Sequence, residues 1–324
     1  MKISIIIPTF NRAEYLKKAI ESALAQDYES LEIIVSDNAS TDSTEEIIQR
    51  YINDRRFKYF RNKDNLGMVA NWRKALFEHA DGDFFIILSD DDYFIDNQYI
   101  SNAVKLIENN PDMVLVFSNG YIYYEDLNEK IELKLPFDDV APGKEVFLSR
   151  GKLKPQAFTL CNVLFSRKLA LKLDAFSNPY NISCDSELFL KMCLYGSVGV
   201  IKDFVSVYTI HNKNLINSLN TDEKLLINNF DHVLEPYIYA QGSGLFTDHE
   251  LDIWIEELVI PLYIDVIESV LLYNPENHLE ILKNIDSKNP EIYSRVLKKS
   301  KIRTVLFLNK IKMLKLAFKI RKMI

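Results

Sequence analysis

The sequence predicts an α/β fold with a mostly parallel central sheet, followed by a helical C-terminal region. Three observations predict it. Short apolar runs alternate with helical periodicity over the first hundred residues, three of those runs end in polar loops, and the patterns after residue 222 are helical.

The chain begins Met1-Lys2-Ile3-Ser4-Ile5-Ile6-Ile7-Pro8, and residues 3–7 read as a buried strand. Tyr15, Leu16, Ala19, Ile20, Ala23 and Leu24 recur at helical spacing between Arg12 and Gln26. Leu31 to Val35 is a second strand, and Ser43 to Ile52 a second helix with Thr41, Asp42 and Ser43 available as caps. Phe57 to Phe60 is a short third strand and Met68 to Ala80 a third helix. The turn formers Asp81-Gly82-Asp83 then open a fourth strand, Phe84 to Leu88. Strands alternating with helices imply βαβ crossovers and a sheet covered on both faces. The first, second and fourth strands end in Pro8-Thr9-Phe10-Asn11, Ser36-Asp37-Asn38-Ala39-Ser40-Thr41-Asp42 and Ser89-Asp90-Asp91-Asp92. In a parallel sheet these loops share one edge and can build one pocket.

The 324 residues, 48% hydrophobic and 26% charged, suffice for one large or two ordinary domains. A boundary is expected near residue 220, giving an α/β domain (1–220) and a helical region (221–324) marked by Leu225-Leu226-Ile227, Leu258-Val259-Ile260 and Val270-Leu271-Leu272. Cys161, Cys184 and Cys193 are odd in number and not spaced as CxxC, so reduced thiols in a cytoplasmic protein are expected rather than disulfides or a zinc site. The apolar start is too short for a signal peptide, and no later run reaches the roughly 18 apolar residues of a spanning helix.

Charge is uneven. Lys298 to Ile324 carries ten Lys and Arg and no acid, which leaves −17 on the rest (−7 less the tail's +10). Lys312, Lys315, Lys319 and Lys322 fall on one helix face, and Leu306, Met313, Leu316, Ile320 and Met323 on another. That pattern predicts a helix in an anionic membrane interface, hence a peripheral protein on the inner face of the cell membrane. A surface helix of the folded domain is the competing reading. Nucleic acid is not expected, because the acidic body would repel phosphate.

The three aspartates Asp90-Asp91-Asp92 repel one another unless a cation neutralises them, although an acidic turn is the simpler reading. No GxGxxG follows the first strand and no GxxxxGK[ST] occurs, so phosphates would have to be held by a metal. Mg²⁺ or Mn²⁺ suits one or two carboxylates plus phosphate oxygens.

The segments Ile5-Ile6-Ile7-Pro8-Thr9-Phe10-Asn11-Arg12, Glu32-Ile33-Ile34-Val35-Ser36-Asp37-Asn38-Ala39-Ser40-Thr41-Asp42 and Leu88-Ser89-Asp90-Asp91-Asp92 together resemble glycosyltransferase family 2. The resemblance runs from the N-terminus to about residue 218. It implies the Rossmann-like GT-A fold, a nucleoside-diphosphate sugar donor, a divalent Mn²⁺ or Mg²⁺, a hydroxyl acceptor and inversion at the anomeric carbon. By position, Pro8, Thr9, Phe10, Asn11, Asp37 and Asn38 would hold base and ribose, and Asp90 and Asp91 would take the ribose- and metal-binding places beside Asp92. Two departures stand out. Asn38 replaces a frequent second aspartate, so the base is open among uracil, thymine, guanine and cytosine; an amide can donate as well as accept. Ser89 replaces the first carboxylate of the metal motif, so which aspartates touch metal is ambiguous by one position.

Inverting transfer needs a base for the acceptor hydroxyl and something to stabilise the leaving diphosphate. Ser183-Cys184-Asp185-Ser186-Glu187 resembles the family's Glu-Asp motif at a helix start, with Cys184 in the glutamate's place, and makes Asp185 the expected base; a helix cap is its competing role. Glu187 would point away. His211, after Val205-Ser206-Val207-Tyr208, resembles the family's histidine that reaches metal or diphosphate. His79, His232, His249 and His278 read as structural. Asn65-Leu66-Gly67, similar to an Asn-x-Gly loop of the family, opens a helix whose Asn71 and Arg73 would face the donor phosphates, with an ordinary helix surface as the competing reading. The polar, aromatic stretch 119–155 reads as an irregular acceptor-side loop.

The expectation is therefore an inverting, metal-dependent glycosyltransferase extending a glycan or lipid-linked glycan for a bacterial surface polysaccharide. A metal-dependent phosphatase or nucleotidyltransferase, and a noncatalytic sugar-binding module on the same fold, are the alternatives.

Overall fold

The computed structural model describes residues 1–152, 159–212, 222–273 and 276–310. The expected α/β alternation is present: β1 (Ile3–Thr9), α1 (Ala13–Leu24), β2 (Leu31–Asp37), α2 (Thr44–Ile48), β3 (Phe57–Arg61), α3 (Met68–Lys74) with a π-helical turn (Ala75–His79), and β4 (Phe84–Ile87). There follow β5 (Tyr93–Phe94), α4 (Tyr99–Glu108), β6 (Met113–Tyr124), β7 (Glu129–Leu133), β8 (Val140–Pro142), α5 (Gly143–Ser149), β9 (Val163–Ser166), α6 (Arg167–Lys172), α7 (Cys184–Met192) and β10 (Ser197–Ile210). Helices make up the rest of the described residues: α8 (Glu223–Asn228), α9 (Asp231–Ser243), α10 (Asp248–Trp254) with a π-helical turn (Ile255–Val259), α11 (Ile260–Tyr273), α12 (His278–Lys288), α13 (Pro290–Leu297) and α14 (Ser300–Lys310).

One sheet runs β3-β2-β1-β4-β9-β6-β10-β5, with β7 added to β6 and β8 to β10. Its long ladders are parallel, and the antiparallel pairings are shorter. Every residue of β1 and β2 is buried, as expected for strands covered on both faces. Side chains alternate across the sheet, so Ile3, Ile5 and Ile7 join Leu16 and Ile20 of α1 in one core, while Ile6 joins Trp72 and Phe85 in the other. That second core continues without a break into Trp254, Tyr263, Val296 and Ile302 of the C-terminal helices. Trp254 stacks on Phe147 of α5 at 4.8 Å and donates its indole N–H to the Phe147 carbonyl at 3.0 Å. The helical region is thus packed on the α3 side of the sheet through shared apolar surface.

The described part of the expected loop 119–155, residues 119–152, is more ordered than its composition suggests. Tyr121 to Tyr124 pair with β7 on one side and β10 on the other, and α5 follows. A strand with a partner on each side satisfies its backbone whatever its side chains, so a polar, aromatic composition misreads as loop. Among the described residues no helix is long and apolar enough to cross a membrane. Lys312, Lys315, Lys319 and Lys322 lie outside the described residues. The described start of the basic segment, α14, buries Ile302 and Val305 in the core. All three cysteines are free thiols and buried.

Candidate functional site

Parallel pairing brings the three polar strand ends together. Thr9 is in register with Asp37, the Asn38 amide donates to the Thr9 carbonyl at 2.9 Å, and the Leu88 amide donates to the Ile6 carbonyl at 2.9 Å. A cavity of about 700 Å³ opens at this edge and extends to α7 and the C-terminal helices.

On the donor side, Pro8, Thr9, Phe10, Asn38, Asn71 and Asp90 line the cavity. Phe10 is 41% exposed, an aromatic face at the rim. The other polar members are bound to one another. Asn38 donates to Asn65 Oδ1 (2.8 Å) and the Gly67 carbonyl (3.2 Å), and its Oδ1 accepts from Asn62 (3.1 Å) and the Leu66 amide (2.9 Å). Its amide is saturated, and two of the bonds need a donor that aspartate lacks. Asn71 accepts from Ser36 and Asn62 at 2.8 Å each and donates to the Ser36 carbonyl at 3.0 Å. That leaves one amide N–H with no partner among the described residues.

Two expected donor residues are not part of the cavity lining. Asp37 is buried and accepts from the Ser40 amide and the Tyr59 hydroxyl at 2.8 Å each, bracing the turn after β2. Asn11 adopts a left-handed φ of 54° that asparagine tolerates. Its Oδ1 accepts from the Thr41 amide at 2.7 Å and its own amide donates to Ser40 Oγ at 2.9 Å, which staples the first loop to the second. Arg73 turns to Asp174 and the Ala175 carbonyl, away from the cavity.

The aspartates have three different settings. Asp90 accepts from Thr9 Oγ1 at 2.8 Å; burial and the neighbouring Asp91 push its carboxyl up to about 7 against the pull of Arg12. Asp91 lines the cavity, with His211 Nε2 at 3.0 Å and Arg12 Nη1 at 2.7 Å from its Oδ2. Asp92 points into the protein: Oδ1 accepts the Thr209 amide of β10 at 2.8 Å, and Oδ2 is buried with no hydrogen-bond partner among the described residues. Burial, then Asp91, raises Asp92 well above the carboxylate range. The expected ligand trio is therefore divided, because β10 claims Asp92 as an anchor. Among the described residues no three His, Cys, Asp or Glu converge as a complete metal cage. Asp91 and His211 do meet, and a carboxylate with an imidazole leaves places for diphosphate oxygens and water, which suits Mn²⁺ or Mg²⁺. His211 is set by its stack on Tyr15 (5.2 Å), whose hydroxyl donates to Glu125 at 2.6 Å.

On the far side Asp185 lines the cavity at the start of α7. Burial raises its carboxyl, partly offset by the backbone amide of Ser186, its own amide and the charge of Arg150. Glu187 faces elsewhere, bonding Lys191 at 2.5 Å and Asn181 at 2.7 Å. Sequence reasoning missed several cavity residues, among them Arg12, Arg150 and His232. His232, expected to be structural, sits on the wall with Asn229 because α9 packs against α7. Its Nδ1–H donates to the Asn229 carbonyl, and burial holds its pKa down at about 4, so the ring is neutral at pH 7. Arg150 is buried, which lowers its pKa despite the pull of Asp185. The next residue, Gly151, packs closely on the C-terminal helices: a Cβ there would meet the Cβ of Glu257 at 2.9 Å. Of these three, only the arginine that ends the first motif, Arg12, carried any sequence signal.

The sequence profile described as "Glycosyl transferase family 2" matches residues 4–170, half of the chain. The chain belongs to glycosyl transferase family 2. The family 2 match covers β1 to β9 and stops before Asp185 and the C-terminal helices. An uncharacterized protein of Mycobacterium tuberculosis is 27% identical over 225 residues, 68% of this chain and 62% of the relative, so the chain spans less than two thirds of that protein. A Campylobacter jejuni relative, GalNAc(5)-diNAcBac-PP-undecaprenol beta-1,3-glucosyltransferase, is 45% identical over 128 residues, 38% of this chain and 40% of its own. Among solved structures, residues 1–349 of Staphylococcus aureus TarS in complex with UDP-GlcNAc superpose with a TM-score of 0.65 at 17% identity, over 97% of this chain and 89% of that one. That likeness shows the fold, GT-A with helices appended.

Proposed function

We propose that this family 2 protein is an inverting glycosyltransferase that moves a sugar from a nucleoside-diphosphate donor to a hydroxyl of a glycan or lipid-linked glycan. The observation that carries this reading is the single cavity joining the Thr9–Asp90–Asp91 edge to Asp185. Phe10 and Pro8 offer an apolar seat for the base, and Asp90 together with the remaining Asn71 N–H offers polar partners to ribose and diphosphate. Asp185 faces the same space from the opposite wall. Its raised carboxyl accepts a proton at neutral pH more readily than an exposed aspartate would. As the acceptor oxygen attacks the anomeric carbon from that side, Asp185 takes its proton and the diphosphate departs toward Asp91. A divalent cation held by Asp91 and His211 would neutralise the charge on the leaving diphosphate.

Asp185→Asn tests the assignment. Transfer, read as release of the nucleoside diphosphate in the presence of acceptor, is expected to fall by about 10²–10⁴-fold with donor binding retained. Phosphate release or pyrophosphate exchange that survives the substitution would favour the phosphatase or nucleotidyltransferase reading instead.

The family 2 glucosyltransferase of Campylobacter is named for an undecaprenol-linked acceptor. A lipid-linked acceptor would suit this chain's basic C-terminal segment, which we infer docks the 221–324 region on the anionic cytoplasmic face of the membrane in surface-polysaccharide synthesis. Because Ile302 and Val305 belong to the core, the fair comparison is a chain ending at Lys310. Liposome flotation of the full chain but not of that truncation is expected; equal flotation removes the docking role.

A further inference from the structure

Arg12 stands at the start of α1, lines the cavity and is the arginine bound to the aspartate pair. Its Nη1 donates to Asp91 Oδ2 at 2.7 Å and reaches Asp90 Oδ1 at 3.2 Å. The same Asp91 oxygen lies 3.0 Å from His211 Nε2. One carboxylate oxygen therefore serves both a guanidinium and the imidazole expected to ligate metal. A divalent cation on that oxygen would meet the guanidinium at a distance where like charges repel strongly. Arg12 has somewhere else to go. Its side chain is 27% exposed, and the cavity it borders is where a diphosphate would lie. The planar guanidinium fork pairs with phosphate oxygens as well as with carboxylates.

We propose that Arg12 is a built-in counter-cation for Asp90 and Asp91, which yields Asp91 to the divalent cation and re-pairs with the donor's diphosphate. This rests on the metal-dependent reading above and assigns a residue that reading does not use. It has a consequence for binding order. A tethered guanidinium competes with free metal for Asp91, whereas metal arriving with a diphosphate offers Arg12 a new anionic partner. Metal affinity and nucleotide affinity should then respond to Arg12 in opposite directions, which a merely structural arginine would not produce.

The test titrates Mn²⁺ alone into the wild type, Arg12→Gln and Arg12→Lys, read by calorimetry and by loss of the free-Mn²⁺ paramagnetic resonance signal. Arg12→Gln is expected to bind Mn²⁺ about tenfold tighter than wild type, the scale of removing one adjacent charge. Arg12→Lys, which keeps the charge, should stay near wild type. Adding Asp91→Asn to Arg12→Gln should abolish the gain. With Mn²⁺ saturating, UDP or GDP should bind Arg12→Gln more weakly than wild type. Thermal melting checks that the variants fold, and Arg12→Met, which retains the alkyl stem, replaces the glutamine variant if that one does not. Equal Mn²⁺ affinity in wild type and Arg12→Gln would overturn the role of Arg12 and leave the metal reading standing. Absence of Mn²⁺ binding to either protein, with and without UDP or GDP, would overturn both.

Discussion

The two halves of the cavity keep their polar groups in different ways. On the donor side the side chains hold each other: Asn38 makes four hydrogen bonds, Asn71 three, and Asp37 braces the turn that carries them. On the far side Asp185, Arg150 and His232 share a wall where burial is the largest influence on each, raising the acid and lowering the two bases. The donor half is a preformed surface whose hydrogen bonds are mostly committed before a ligand arrives. The far half disfavours charge, and Asp185 held there gains proton affinity with no acid beside it among the described residues, whereas Asp90 on the donor side is raised by burial and by its neighbour Asp91. On the proposed reading, donor binding falls to the first wall and proton transfer to Asp185 on the second.

The sharpest break of this contrast is Arg150→Gln. On the proposed reading Asp185 is the base and must be ionised to act, so activity is expected to rise as pH passes upward through its folded pKa. Burial sets that pKa above the ordinary aspartate value of about 3.9, and Arg150 pulls it back. Removing Arg150 should move the acid limb of kcat/KM to higher pH. For each pH unit the limb moves, the rate on its acid side should fall roughly tenfold. A limb that stays in place would show that the two groups are not coupled.

A smaller effect, and one of stability rather than rate, is expected on the donor side. Asn38→Asp loses both donated bonds and sets a second acid beside buried Asp37, at a cost of about 2–5 kcal/mol in denaturant unfolding. Asp185→Asn, by contrast, removes a charge that burial disfavours and should leave stability unchanged or improved. If both substitutions destabilise alike, the two walls do not differ as described. The smallest effect tests the seam. Gly151→Ala forces a Cβ against Glu257 and should cost about 1–3 kcal/mol as an overpacked contact. It should raise the KM for acceptor while donor affinity holds, because it shifts only the segment carrying Arg150.

Much of the donor half was legible in the sequence. Its strands are short, largely apolar runs, broken by Ser4 in β1 and Glu32 in β2, and each functional loop follows its strand directly. Local pattern therefore found the loops, and the resemblance to family 2 named Thr9, Asp90 and Asp91 within them. Asn38 was legible as a site position but not in its use, since its partners Asn62 and Asn65 are chosen by the fold of a later loop. Asp185 was found through its motif, and its half of the cavity was not. Arg150, His232, Asn229 and Leu262 are scattered over more than a hundred residues with no spacing to link them. His232 on a helix carries no local mark that separates a cavity histidine from a buried one.

By itself, then, the sequence determined the layered α/β architecture and the edge on which the strand-end loops collect. Hydrophobic periodicity and parallel pairing are local and repetitive enough to read without coordinates. The tertiary structure alone decided that Asp90 and Asp91 face the cavity while Asp92 turns inward, that Arg12 holds the pair, and that the C-terminal helices complete the wall opposite. Those outcomes depend on which distant groups satisfy a buried charge: Thr209 claims Asp92, His211 and Arg12 claim Asp91, and Thr9 claims Asp90.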